Sequence, residues 1–183
     1  MTSIGDTAFA NCTGLTGITI PTGIVHIGNN AFANCTGLIG ITIPGGVTSI
    51  DYNTFHGCTN LTSATILHPD CTIGDSDYDV FKDCASTFTL RGWPGSTAEA
   101  YAQAAGHTFE TLPLLALPAN LTTIEEDAFQ GISALGVRIP SSVTSISGNP
   151  FAGSGVQYIY GTPGTEAEAF AARYGYTFMP AGN

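Results

Sequence analysis

Positive charge is what this chain has least of. Lys82, Arg91, Arg138 and Arg173 are its only cationic side chains, set against 14 Asp and Glu, and they leave a net charge of −10 over 183 residues. Neutralising a run of phosphates takes clustered Lys and Arg. Four scattered cations therefore exclude nucleic acid and anionic membrane surfaces as partners. No stretch approaches the roughly 20 apolar residues of a membrane-crossing helix, so insertion into a bilayer is not expected. The N-terminus lacks a basic segment followed by an apolar run. "MTSI" at Met1–Ile4 matches "VTSI" at 47–50 and 143–146, so the chain is expected to start inside a repeated unit. Close cysteine pairs of the zinc-binding kind are missing, as is a G-x-S-x-G nucleophile elbow. With 43 % hydrophobic residues the chain is nonetheless no disordered polymer.

What is there is repetition. "AFANCTGLTGITIP" (8–21) and "AFANCTGLIGITIP" (31–44) agree at thirteen of fourteen positions, 23 residues apart. Ile4, Ile27, Ile50 and Ile73 keep that spacing, as do Phe9, Phe32 and Phe55, and Cys12, Cys35 and Cys58. A fixed period of 20–29 residues marks a solenoid with one strand per turn. The fourth unit is three residues longer, since Phe81 follows Phe55 by 26. "LTGITIP" predicts a strand over Thr16–Ile20, with Ile18 and Ile20 inward and Gly17 and Thr19 outward. No such turn can bury its apolar face alone, so stacking must supply the core.

The pattern resumes after residue 111, with Ile132 and Ser154 in the cysteine position and one unit a residue short. Both blocks close alike. "GWPGSTAEAYAQAAGHTF" (92–109) aligns with "GTPGTEAEAFAARYGYTF" (161–178), which predicts helices over 97–105 and 166–174. Each has a capping box, Ser96 with Glu99 and Thr165 with Glu168, and a glycine stop, Gly106 or Gly175. The expected organisation is a repeat block over 1–110 and a second over 111–183, forming one continuous array.

These units resemble the BspA-like (treponemal-type) leucine-rich repeat. The second unit matches that pattern at Leu15, Ile18, Ile20, Pro21, Ile24, Ile27, Gly28, Ala31, Phe32 and Cys35. The resemblance implies a leucine-rich-repeat solenoid of 23-residue α/β units, with short parallel strands, irregular convex segments and two short capping helices. It also implies a non-catalytic adhesion or recognition module of a cell-surface or secreted protein, with a protein or glycan partner and no cofactor.

Candidate residues follow from the pattern. Cys12, Cys35, Cys58 and Cys84 share one apolar column and Cys71 replaces a core residue, so buried free thiols are expected. His26, His56, His68 and His107 recur at no common position and read as structural or surface residues. Asp75, Asp77 and Asp79 open like a calcium loop, but Val80 and Ser86 stand where that loop needs Gly and Glu. A solvated insertion is the better reading. The sequons at Asn11, Asn34, Asn60 and Asn120 mostly come with the repeat. No convergent nucleophile, base or acid pair is visible, so an enzyme is not expected. The outward strand column remains: Thr19, Thr42 and Thr65, continued by Thr89, Arg138 and Tyr158, with Trp93 nearby. Solenoids bind extended partners on this face, and Arg, Tyr and Trp anchor such contacts. A plain spacer segment is the competing reading, favoured by the near-identity of the first copies.

Overall fold

The computed structural model describes residues 1–74 and 79–180. The chain divides into two compact units, Met1–Thr111 and Leu112–Asn183. In the first, two-residue strands β1 (Ser3–Ile4), β2 (His26–Ile27), β4 (Ser49–Ile50) and β6 (Thr72–Ile73) form a parallel sheet in that order. A second parallel sheet runs β3 (Gly40–Ile43), β5 (Ser63–Ile66), β7 (Thr89–Gly92) and β8 (Thr108–Thr111), with α1 (Thr97–Ala105) between the last two in sequence. The isoleucines set 23 residues apart are register partners: Ile4 with Ile27, Ile27 with Ile50, Ile50 with Ile73. This is the one-strand-per-turn solenoid that the period implies, of the leucine-rich-repeat kind that the resemblance implies.

Between the sheets the phenylalanines stack. Phe9, Phe32, Phe55 and Phe81 lie with successive centroids 5.1, 5.4 and 5.4 Å apart and planes within 4° of parallel. Backbone bonds between turns fix that spacing: Phe9 N–H donates to the Ala31 carbonyl (2.7 Å) and Phe32 N–H to that of Thr54 (2.9 Å). The corners need left-handed backbone, which Asn11, Asn34, Gly57 and Asp83 supply at φ of 61°, 58°, 72° and 58°. Gly and Asn occupy that region at low cost. Gly28 is required for a different reason. A Cβ there would lie 2.9 Å from the Asp6 backbone nitrogen, so the close approach of neighbouring turns excludes one. Thr54 stands where the preceding repeat has Ala31, and it is fully buried. Its hydroxyl is satisfied by the carbonyls of Asp51 (2.7 Å) and Gly28 (3.1 Å).

Residues 16–20 depart from expectation. The inside–outside pattern holds, with Ile20 buried, Ile18 half-buried and Thr19 exposed, but the segment does not form a strand. It pairs with no earlier strand of the described chain, and Gly14 and Gly17 weaken what one neighbour could stabilise.

The second unit repeats the plan. Strands β9 (Leu114–Ala116), β11 (Gly136–Arg138), β13 (Tyr158–Gly161) and β14 (Thr177–Pro180) form one parallel sheet, and β10 (Thr123–Ile124) pairs with β12 (Ser145–Ile146). Its core holds Val137, Ile139, Phe151, Ile159 and Phe170, with Phe129 stacked on Phe151 at 5.4 Å. Helix α2 (Glu166–Tyr174) lies so close to β13 that a Cβ on Gly161 would come within 2.6 Å of the Ala167 Cβ.

Both helices span the residues expected and end on left-handed Gly106 and Gly175. Their first turns differ. Ser96 Oγ accepts the Glu99 N–H (3.3 Å), as a cap should. Thr165 instead turns its hydroxyl away and donates to the Thr162 carbonyl (2.6 Å), so the second cap is not made. In both copies the acidic residue accepts the N–H of the preceding turn glycine: Glu99 from Gly95 (2.6 Å), Glu168 from Gly164 (2.7 Å). That also places carboxylate at the positive end of the helix.

Candidate functional site

The outward side of β3, β5 and β7 faces an open groove of about 640 Å³, lined by Gly17, Thr19, Gly40, Thr42, Thr65 and Arg91 among others. Strand alternation makes it. Ile41, Ile43, Ala64, Ile66 and Leu90 point inward and are buried. The intervening residues are therefore forced outward, and apart from Arg91 they are small or hydroxylated.

The register corrects the expected column. Thr42 pairs with Thr65, but Thr65 pairs with Arg91 and Arg91 with Glu110. Thr89 belongs to the neighbouring column, between Ser63 and Thr108. The cause is the three-residue extension of the fourth unit. The step from Phe55 to Phe81 is 26 residues, and the same step carries Thr65 to Arg91. Arg91 and Glu110 were missed for that reason, although the longer step was legible. Arg91 Nε and Nη2 both approach Glu110 Oε2 at 2.8 Å, with the side chains 46 % and 57 % exposed.

Arg138 and Tyr158 are not side-by-side either. Arg138 is paired with Tyr160, and Tyr158 with Gly136. The unit is 22 residues long here, so the aromatic beside Arg138 is the buried Tyr160. Arg138 is exposed on β11 and Tyr158 half-buried on β13, where burial raises its phenol pKa. Trp93 is no surface anchor. It is 1 % exposed, and its indole Nε1 donates to the Leu67 carbonyl (2.8 Å), which makes it core.

Of the calcium candidates, Asp75 and Asp77 fall outside the described residues. Asp79 is committed elsewhere. Its Oδ1 accepts the Tyr101 hydroxyl (2.6 Å) and the Phe81 N–H (2.9 Å), and lies 3.0 Å from His107 Nε2. Burial pushes the Asp79 carboxyl up, but these hydrogen bonds outweigh it and hold the group below the usual carboxylate range. Tyr101, with burial and this carboxylate against its ionised form, is pushed well above an ordinary phenol. Among the described residues no group of three His, Cys, Asp or Glu is placed to hold a metal ion.

His26 is better partnered than its sequence context indicates. Its Nδ1 lies 2.9 Å from Ser49 Oγ and its Nε2 3.4 Å from Asp51 Oδ2. This is a lateral contact between β2 and β4, readable from His26 and Ser49 being one period apart.

The cysteines are all free. Cys35, Cys58 and Cys71 are fully buried and Cys84 half-buried, as the apolar column requires; Cys12 is exposed, contrary to expectation, because no described turn covers it. The thiols are not merely spacers. Cys35 Sγ donates to the Phe9 carbonyl (3.0 Å), Cys58 Sγ to that of Phe32 (3.1 Å) and Cys84 Sγ to that of Phe55 (3.5 Å). Burial raises the Cys35 thiol pKa and pushes Cys58, Cys71 and Cys84 up to about 12. In the second unit Ser154 donates to Phe151 of its own turn (2.5 Å) instead.

Several solved structures are similar to this chain. A leucine-rich repeat protein from Bacteroides ovatus ATCC 8483 is 21 % identical, with a TM-score of 0.46. That match covers 100 % of this chain and 52 % of the other, so this chain spans about half its length. The T. pallidum leucine-rich repeat protein is 18 % identical over 99 % of this chain and 81 % of its own, with a TM-score of 0.41. A leucine-rich cell surface protein from Faecalibacterium prausnitzii A2-165 is 18 % identical over 100 % and 77 %, with a TM-score of 0.35. No curated protein matched. The family model described as the BspA type leucine rich repeat region matches in six copies, over residues 1–92 and 106–166, which is most of the chain. The chain therefore belongs to the BspA-type leucine-rich repeat family.

Proposed function

We propose that this chain is a non-catalytic recognition module, and that the groove over β3, β5 and β7 binds an extended protein or glycan partner at a cell surface. The groove itself carries the reading: about 640 Å³ of open space bordered by Thr19, Thr42, Thr65 and Arg91 on a rigid parallel sheet. Hydroxyls that donate and accept, beside glycines that permit close approach, suit a partner with many polar groups. Arg91 and Glu110 supply charge of both signs at the end of the threonine column. On the strand face of the second unit, Arg138 and Tyr158 are the residue types that anchor interfaces. The setting, cell surface or secreted, rests on family membership.

The test is a screen of the chain against matrix proteins and glycans, followed by groove-blocking variants. Thr65→Arg and Thr42→Arg should weaken binding at least about tenfold, a change of 1.4 kcal/mol, with the melting temperature kept. Binding unchanged by both variants would refute the groove. The second reading, a spacer without a ligand, is favoured by the near-identity of residues 8–21 and 31–44. A screen with no hit at all would support it.

A further inference from the structure

The cysteine column has a consequence at its exposed end. Phe9 O accepts two donors at once, the Cys12 backbone N–H (3.1 Å) and the Cys35 thiol (3.0 Å). The Cys35 sulfur is therefore held against residue 12 of the preceding turn. The ladder agrees, since Asn11 N–H donates to the Ala33 carbonyl (2.8 Å), which sets Cys12 beside Cys35. Stacked turns pair about 4.8 Å apart, inside the Cα separation of about 4.4–6.8 Å that a disulfide tolerates. The same arrangement recurs deeper, where Phe32 O accepts Cys35 N–H (3.2 Å) and the Cys58 thiol (3.1 Å). There both thiols are fully buried. Only at the first step is one partner exposed; Cys84, at the far end, is half-buried.

We propose that Cys12 and Cys35 are an oxidation site, which a small-molecule disulfide converts to a covalent bond between the first two turns. The Cys12 thiolate attacks one sulfur of the reagent, forming a mixed disulfide and expelling one thiolate. The Cys35 thiol loses its proton to solvent, leaves the Phe9 carbonyl and attacks the Cys12 sulfur, expelling the second. Two cysteine thiols are oxidised and one reagent disulfide is reduced to two thiols. Phe9 O keeps the Cys12 N–H, so the step strands no buried acceptor. Burial raises the Cys35 pKa, which makes the second displacement the slow one. Cys58 and Cys84, with no exposed partner and thiols near 12, stay reduced.

The experiment is incubation of the folded chain with oxidised glutathione, alkylation of remaining thiols, and non-reducing chymotryptic mapping. Cleavage after Phe9, Leu15, Phe32 and Leu38 separates the two cysteines. The expected result is a peptide pair linked through Cys12 and Cys35, with loss of Cys12 alkylation and no covalent dimer. Cys58→Ser should leave that link intact. Cys35→Ser should abolish it and leave glutathione on Cys12. Stable glutathione on wild-type Cys12, a dimer through Cys12, or a link formed only after denaturation would each overturn the proposal.

Discussion

Replacing Phe32 with alanine removes a ring that is fully buried and faced on both sides by other rings, Phe9 at 5.1 Å and Phe55 at 5.4 Å. Truncating a buried Phe costs about 3–5 kcal/mol, depending on how far the site collapses. Here collapse is resisted. Turn-to-turn bonds from Phe9 N–H to Ala31 O (2.7 Å) and Phe32 N–H to Thr54 O (2.9 Å) hold the spacing on either side. Two stacked ring contacts are lost as well. The cost belongs in the middle of the range or above, about 4 kcal/mol. With a urea slope of about 2 kcal/mol per molar, the midpoint should fall by about 2 M. Trp93 is the chain's single tryptophan and is buried within the first unit, so its fluorescence reports that unit's unfolding. Phe9→Ala is the control. Phe9 is half-buried with one ring neighbour, and its loss should cost roughly half as much. A Phe32→Ala cost below about 1 kcal/mol, or equal costs for both, would mean the ring stack does not support the fold as argued.

Three further expectations follow from individual contacts. Thr54→Val keeps the shape but removes the hydroxyl from the Asp51 carbonyl (2.7 Å) and from the Gly28 carbonyl, which keeps the Ala31 N–H (3.3 Å), and should cost about 1–3 kcal/mol by urea titration. A thiol reagent in native buffer should label Cys12 and spare Cys35, Cys58 and Cys71, with their labelling appearing only as denaturant unfolds the chain. The Asp79 carboxyl is held below its ordinary value, so its contribution to stability is present above the unfolded carboxylate pKa, about 3.9. That contribution is lost as pH falls through the lower folded value. Asp79→Asn should lower stability at neutral pH and flatten the acid limb below about pH 4; an unchanged acid limb would show that the Tyr101 and His107 contacts do not act on this carboxylate.

Where the period is constant the fold was legible. Ile4, Ile27, Ile50 and Ile73 align because 23 residues separate each pair, and a glycine with a capping residue marks each helix boundary. Where the period changes, residue numbers mislead: Thr89 gave way to Arg91, and Tyr158 to Tyr160 as the partner of Arg138. Trp93 misled through its chemistry. An amphipathic ring serves a core as well as an interface, and only the Leu67 carbonyl decides between them. The Asp79–Tyr101–His107 cluster gave no sequence signal, since its members lie 22 and 28 residues apart and meet through α1 and the strand after it. The groove was half legible. Its hydroxyls follow from strand alternation, whereas the charged pair that ends the column depends on register.

Phe55 and Phe81 stack at 5.4 Å, the same separation as Phe32 and Phe55, although 26 residues rather than 23 lie between them. Ring spacing and unit length are thus uncoupled ahead of Phe81. Three extra residues in the unit leave the stacked rungs on either side in step.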